Sequence, residues 1–367
     1  MAVWAGVGRC GRACLISPVH ANACSSLSVI YGIWLQKGQG GCMMGSMKPM
    51  DMMGGAFELE LPVHDNFPYR QCAACAYVNS GRSALQVILQ NLPKPRRVLV
   101  PRFICDTVLQ PLKRLRLRVV RYGCDDQLRP QLPYDLTEDD TLILVNYFGL
   151  TGEAVDDAAR QHQGVSIVDA TTALFARSVL PSFYSPRKFC GVADGGVACA
   201  PCPLSILPQE EDMSFMRSMH MLIRVESGAF VAKSACEVAE QELKCPPKIM
   251  SPLTRRLLRA YDFDQIAERR RENYAVLHRL LGGINRLELP AVPRSAPFCY
   301  PLVSGIPGLR DELVEARIAL PLFWPEVIEA TGAETAENRL ARTLLPLPLD
   351  QRYTPEDMED VARLILH

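Results

Sequence analysis

Phe183-Tyr184-Ser185-Pro186-Arg187-Lys188 is followed by Asp194-Gly195-Gly196-Val197, and nineteen residues before the lysine stands Asp169, at the end of the apolar run Val165 to Val168. A lysine, a hydroxyl one helical turn before it and an upstream acid are the parts that a pyridoxal phosphate (PLP) site needs. The amine bonds to the cofactor aldehyde, the hydroxyl of Ser185 holds its phosphate, and the acid sits against the pyridine nitrogen so that the ring stays protonated and draws electrons. Without a cationic ring, charge developing at the substrate carbon has nowhere to delocalise, and a buried Asp–pyridinium pair holds that proton at neutral pH. Each part alone has a plainer reading: a solvated lysine, a helix-capping aspartate, a Gly-Gly turn. In this order, and on these elements, they favour PLP.

The rest of the chain is compatible with an enzyme of this size. At 367 residues and 48% hydrophobic it can bury a large core and form two domains. Lys plus Arg and Asp plus Glu both number 40, so no net charge draws the chain to phosphate backbones, and nucleic acid is not an expected partner. Arg269-Arg270-Arg271, flanked by Glu268 and Glu272 on a predicted helix, reads as a solvated, salt-bridged face. The alternation from Arg114 to Val119 reads as a strand with one wet side. Of fourteen cysteines, Cys72 with Cys75 and Cys199 with Cys202 have Cys-x-x-Cys spacing. The pairs are far apart, no histidine clusters near them and the chain is too large to need staples, so reduced cytosolic thiols and no metal are expected.

Residues 1–52 carry scattered Cys, Gly and Met, few charges and no sustained periodicity, and read as a disordered or non-native leader, with the fold beginning near Met52 or Met53. Ser28 to Leu35 is too short to span a bilayer, and the basic start of a secretory signal is missing, so a cytoplasmic protein without a membrane partner is expected. From residue 53 the pattern is regular. Asn79-Ser80-Gly81-Arg82 leads into a helical apolar repeat from Ser83 to Leu89, whose amino end can bind an anion. Val98 to Val100, Leu115 to Val120, Thr141 to Val145 and Val165 to Val168 read as buried strands between helices or loops. Residues 53–215 are therefore predicted to form a large α/β PLP-binding domain with a mostly parallel sheet, Asp169 lying just past a strand end. Residues 216–367 are predicted to hold linker helices and a smaller α+β domain. In it, Phe263 to Leu281 is an amphipathic helix stopped by Gly282-Gly283, and a last helix is capped by Thr354, begins at Pro355 and turns Val361, Leu364 and Ile365 inward.

From roughly Gly54 to the carboxyl end these motifs resemble the DegT/DnrJ/StrS family of PLP-dependent aminotransferases, which have the aspartate aminotransferase fold (fold type I). Asn79 to Leu85 is similar to the family's phosphate-binding turn, Val100-Pro101-Arg102-Phe103 to the strand end before its ring-stacking residue, and Asn146-Tyr147-Phe148-Gly149 to the segment before its acid strand. Val168 to Ala173, Ser185 to Lys188 with Asp194-Gly195-Gly196, and Leu347 to Asp350 are similar to its acid, lysine and closing motifs. The resemblance implies Lys188 and Asp169 as catalytic residues, and Gly81, Arg82, Ser83, Phe103, Cys105, Thr172 and Ser185 beside them in a PLP site. It also implies a homodimer, an amino-acid donor such as glutamate and a keto-sugar acceptor, nucleotide-linked in most of the family. Three positions depart from the pattern: Cys105 where an aromatic ring usually stacks on the cofactor, with Phe103 as the substitute; Thr172 where Gln is frequent; and Arg82 where Thr is common. A sugar dehydratase or a non-catalytic protein of the same fold are the rival readings. Lys188 disfavours the first, since the dehydratase branch replaces it with His, and Cys105 and Thr172 motivate the second.

Overall fold

Val98–Pro101, Thr141–Val145 and Val165–Asp169 are buried almost along their whole length. Strands covered on both faces read as continuous apolar runs, which is why they were legible. The structure is a computed structural model that describes residues 57–69 and 74–367; the expected leader lies outside the described residues. The chain runs β1 Cys75–Val78, α1 Gly81–Gln90, β2 Val98–Pro101, α2 Leu109–Arg114, β3 Val119–Cys124, β4 Pro130–Gln131, β5 Thr141–Val145, α3 Gly152–Arg160, β6 Val165–Asp169, β7 Ser182–Tyr184 and β8 Gly196–Cys199. It continues with α4 Met219–Val231, α5 Lys233–Glu242, α6 Pro252–Ala260, α7 Phe263–Leu281, β9 Tyr300–Leu302, α8 Leu309–Glu315, α9 Pro325–Ala330, α10 Ala336–Thr343, β10 Leu345–Leu347 and α11 Pro355–Leu366.

The eight strands of the main sheet lie in the order β1-β8-β7-β6-β5-β2-β3-β4. The pairs from β3 through β2, β5 and β6 to β7 are parallel, while β8 runs antiparallel to both β7 and β1. Alternation along each strand divides the core between two faces. Val98, Val100, Ile143, Val145 and Ile167 pack with α1 residues Leu85 and Ile88 on one. Leu99, Leu142, Leu144 and Val168 pack with Tyr184, Val197 and Phe263 on the other. A separate cluster joins β9 and β10 to α7, α8 and α11 through Tyr274, Leu277, Tyr300, Leu302, Leu347 and Met358.

Local chemistry sets the element ends. Thr354 and Asp357 form a reciprocal capping box at α11, with Pro355 as its first residue, as the sequence indicates. Its inward residues are Met358, Ala362 and Ile365; Leu364 is exposed, a correction of the expected face. The Arg114–Val119 alternation is not a strand either. Its first residue ends α2, Arg116 adopts φ 52°, and β3 begins only at Val119. Nor is the arginine triplet wholly solvated. Arg270 is 2% exposed, donates to the carbonyls of Pro297 and Phe298 and to Gln351, and lies over the Phe189 ring.

The expectation of reduced thiols fails at one pair. Antiparallel register sets Cys75 directly opposite Cys199, Cα to Cα 4.3 Å, and a disulfide joins them. Neither Cys-x-x-Cys spacing takes part as a unit: Cys72 lies outside the described residues and Cys202 is a free, exposed thiol.

Candidate active site

The floor of the site is the turn between β1 and α1. Ser80, in extended backbone, caps α1 by accepting the Ser83 amide at 3.2 Å. Ser83 was expected to face a ligand, but its hydroxyl donates to Asn79 Oδ1 at 2.6 Å and is 2.9 Å from Ser80 Oγ, so it stiffens the cap instead. The amides of Gly81 and Arg82 are left without an acceptor among the described residues, and they open a ten-residue helix whose dipole favours an anion there. Two glycines make the turn possible. A Cβ on Gly196 would stand 2.1 Å from the Ser80 carbonyl oxygen, so β8 can run under the turn only without a side chain. Gly195, at φ +131°, lets the chain swing from Asp194 into β8.

Across the turn come the ends of β6 and β7. A Cβ on Gly81 would meet Thr171 Cγ2 at 3.1 Å and Ser185 Cβ at 3.8 Å, which puts the helix start, the acid loop and the serine in one place. The Ser185 hydroxyl forms no hydrogen bond among the described residues, so it and the two free amides form a cradle of donors. Three residues on, Lys188 donates from Nζ to Thr171 Oγ1 at 2.9 Å. The Thr171 amide in turn donates to Asp169 Oδ1 at 2.9 Å. Thr171 thus links the two expected catalytic residues. Sequence reasoning passed over it, although it stands within the quoted acid motif.

The electrostatics follow from depth. Asp169 is 4% exposed, and burial raises its pKa against the lowering effect of the Lys188 charge and the Thr171 donors. Lys188 is exposed to solvent, yet its amine stands among many protein atoms. Desolvation there lowers its pKa, opposed chiefly by the charge of Asp169. A buried carboxylate whose charge has little solvent to stabilise it fits a cation such as a protonated ring nitrogen, and a lysine more easily made neutral suits a nucleophilic or proton-carrying amine. The donor cradle fits a phosphate. The residues present therefore suit PLP.

The other expected site residues divide. Cys105 is partly exposed, its thiol 3.1 Å from Thr107 Oγ1, and lies within electrostatic reach of Lys188 and Arg82. Phe103 is fully buried, its ring edge-on to Trp324 at 4.6 Å and beside Tyr147 at 5.6 Å, so it belongs to the core and cannot stack over the site. Thr172 is also diverted: its hydroxyl accepts the Phe148 amide at 3.1 Å and donates to the Asn146 carbonyl at 3.4 Å. Arg82 donates to the Leu243 carbonyl at 2.7 Å, and desolvation lowers its pKa against the charge of Glu240. Glu240 pairs with Arg187, whose Nε is buried without an acceptor.

No protein-family model matches the chain, and no curated protein is similar to it in sequence. Solved structures are similar. The S. venezuelae protein DesV aligns over 94% of this chain and 95% of its own at 17% identity, with a TM-score of 0.58. The sugar aminotransferase CalS13 from Micromonospora echinospora aligns over 80% and 86% at 17% identity and a TM-score of 0.53. A DegT DnrJ EryC1 StrS aminotransferase from Brucella abortus aligns over 80% and 85% at 16% identity and a TM-score of 0.54. The chain shares the fold of these proteins, in agreement with the resemblance drawn from its motifs.

Proposed function

We propose that the protein is a PLP-dependent aminotransferase that moves an amino group from an amino acid, glutamate in this reading, to a keto-sugar, nucleotide-linked by analogy with the motif family. The observation that carries the reading is the meeting of Lys188, Asp169, the Ser185 hydroxyl and the free Gly81 and Arg82 amides in one place. When bound, PLP supplies an electron sink for the substrate carbon. The protein supplies the rest. Gly81, Arg82 and Ser185 hold the phosphate, and Asp169 holds a proton on the ring nitrogen by charge. Lys188 would move a proton at Nζ, and Thr171 Oγ1 fixes where Nζ stands.

The assembly and location belong to the same proposal. None of the residues of α4 is buried, and Val225, Phe230 and Leu222 are 84%, 92% and 59% exposed. A second copy of the chain covering that face, in a cytoplasmic homodimer, is consistent with an apolar surface of this kind. Among the described residues no helix is long and apolar enough to cross a membrane. Domain limits near 53–215 and 216–367 are retained as part of this reading.

A second reading, cofactor binding without turnover, draws on Cys105 in place of a stacking ring and on the diverted Thr172 hydroxyl. Single-turnover spectra separate the two. On the first reading, glutamate bleaches the visible absorption of the holoenzyme and a keto-sugar nucleotide restores it. A spectrum unmoved by any amino donor would support the second.

A further inference from the structure

A cavity of about 650 Å³ adjoins the face of β6 opposite to Asp169: its lining includes Val168 and Ala170, which alternate with the acid along the strand end. Lys188, Ser185 and Gly81 are not among its lining residues, so it is separate from the site described above. One wall is the start of α3, a nine-residue helix, through Gly152, Glu153 and Ala154. The first bond of that helix is from the Val155 amide to the Thr151 carbonyl, and the three amides before it have no acceptor among the described residues. The residue that ought to cap them does not. Thr151 turns its hydroxyl back to accept the Tyr147 amide at 2.8 Å and donate to the Val145 carbonyl at 3.3 Å.

Next to these amides stands an unpartnered side chain. Asn146 lines the cavity, is 6% exposed, and its Oδ1 is buried with no hydrogen bond. Its Nδ2 lies 3.6 Å from where a Cβ on Gly152 would be, so the carboxamide adjoins the helix start. This Nδ2 is the donor open to an oxyanion, with no acceptor among the described residues, whereas Oδ1 is itself an acceptor. The acids nearby are each engaged by an arginine: Arg294 spans Glu153, in the first helical turn, and Asp156 at 2.9 and 3.3 Å, and Arg129 pairs with Glu288 at 3.4 Å. Arg177 also lines the cavity and donates to the Pro68 carbonyl at 3.5 Å, pairing with no carboxylate among the described residues.

We propose that this cavity binds a small molecule through an oxyanion, a carboxylate or a phosphate, seated on the Gly152, Glu153 and Ala154 amides with Asn146 and Arg177 as side-chain ligands. Three amides with a helix dipole behind them stabilise negative charge, and Arg177 adds a cation with no carboxylate partner among the described residues. The inference is independent of the cofactor reading, since no residue of the Lys188 site enters it.

Calorimetric titration of the purified holoprotein with succinate and with inorganic phosphate tests it, and saturation by at least one is expected. Ala154→Glu sets a carboxylate against the free amides while placing an acid where the helix dipole favours one, so the fold is retained. That variant, and Arg177→Gln, should each weaken the probe at least about tenfold, with Lys188→Ala leaving its affinity unchanged. Saturation by phosphate alone or by succinate alone identifies which oxyanion the site takes. Failure of both probes to saturate, unchanged affinity in Ala154→Glu, or loss of binding in Lys188→Ala would each overturn the assignment.

Discussion

Gly196→Ala tests the dependence of the cofactor cradle on the sheet beneath it. The new Cβ would lie 2.1 Å from the Ser80 carbonyl oxygen, 2.3 Å from its carbonyl carbon and 2.8 Å from the Gly81 nitrogen. All three are backbone atoms, so no side chain can swing aside, and relief to ordinary contact requires β8 and the turn to part by about 1 Å. Ser80 is the α1 cap, and Gly81 and Arg82 carry the free amides, so the displacement falls on the donors assigned to the phosphate. Overpacking of this kind costs roughly 3 kcal/mol, and displaced donors should weaken PLP binding by at least about tenfold. Thermal melting of the apoprotein and fluorescence titration with PLP measure the two effects separately. Gly283→Ala, where nothing lies within 4 Å of the added carbon, is the control and should match the parent. A Gly196→Ala protein with parental melting temperature and parental PLP affinity would refute the reasoning.

Asp169→Asn should fold and bind PLP yet lose most turnover, about a hundredfold or more, because an amide cannot hold a ring proton by charge; steady-state kinetics with the parent's substrates check it. Arg270→Met should lower unfolding free energy by about 3 kcal/mol in urea titration, since two carbonyls and Gln351 lose their donor in the interior. Burial alone would raise the Asp140 pKa, but hydrogen bonds from Arg96, Arg97 and the Thr137 amide outweigh it and hold the carboxyl well below its ordinary value. A depressed folded pKa contributes stability above the unfolded value, about 4, and loses it as pH falls through the folded one. Urea midpoints should accordingly drop below about pH 4, and Asp140→Asn should flatten that part of the profile.

Much of the fold was legible because its determinants are local. The runs at 98, 141 and 165 became parallel strands, and the cap of α11 lies where Thr354 stands. Where the reading failed, the deciding contact was distant. Six alternating residues from Arg114 resemble a strand until Arg116 turns through positive φ. Arg270 resembles its two neighbours unless one notes that it falls in line with Ile266, Asn273, Tyr274 and Leu277 on the buried stripe of α7. Cys75 and Cys199, 124 residues apart, meet only through sheet register.

The candidate site divides in the same way. Residue types point to Lys188 and Asp169 as candidates, but they do not give the direction of a hydroxyl. Ser83 and Thr172 are engaged by the local backbone and neighbouring side chains, Ser185 is free, and Thr171 joins the two expected catalytic side chains. The sequence offers Phe103 for ring stacking only as a substitute for Cys105, and it does not show the Trp324 ring that stands beside Phe103 in the core.

The central claim is that Lys188 binds PLP covalently. The direct measurement is borohydride reduction of the purified, PLP-loaded protein followed by peptide mass spectrometry. The account predicts a phosphopyridoxyl mass on the peptide containing Lys188, absent in Lys188→Ala. A protein that takes up no PLP, or a reduced adduct on any other lysine, would contradict it.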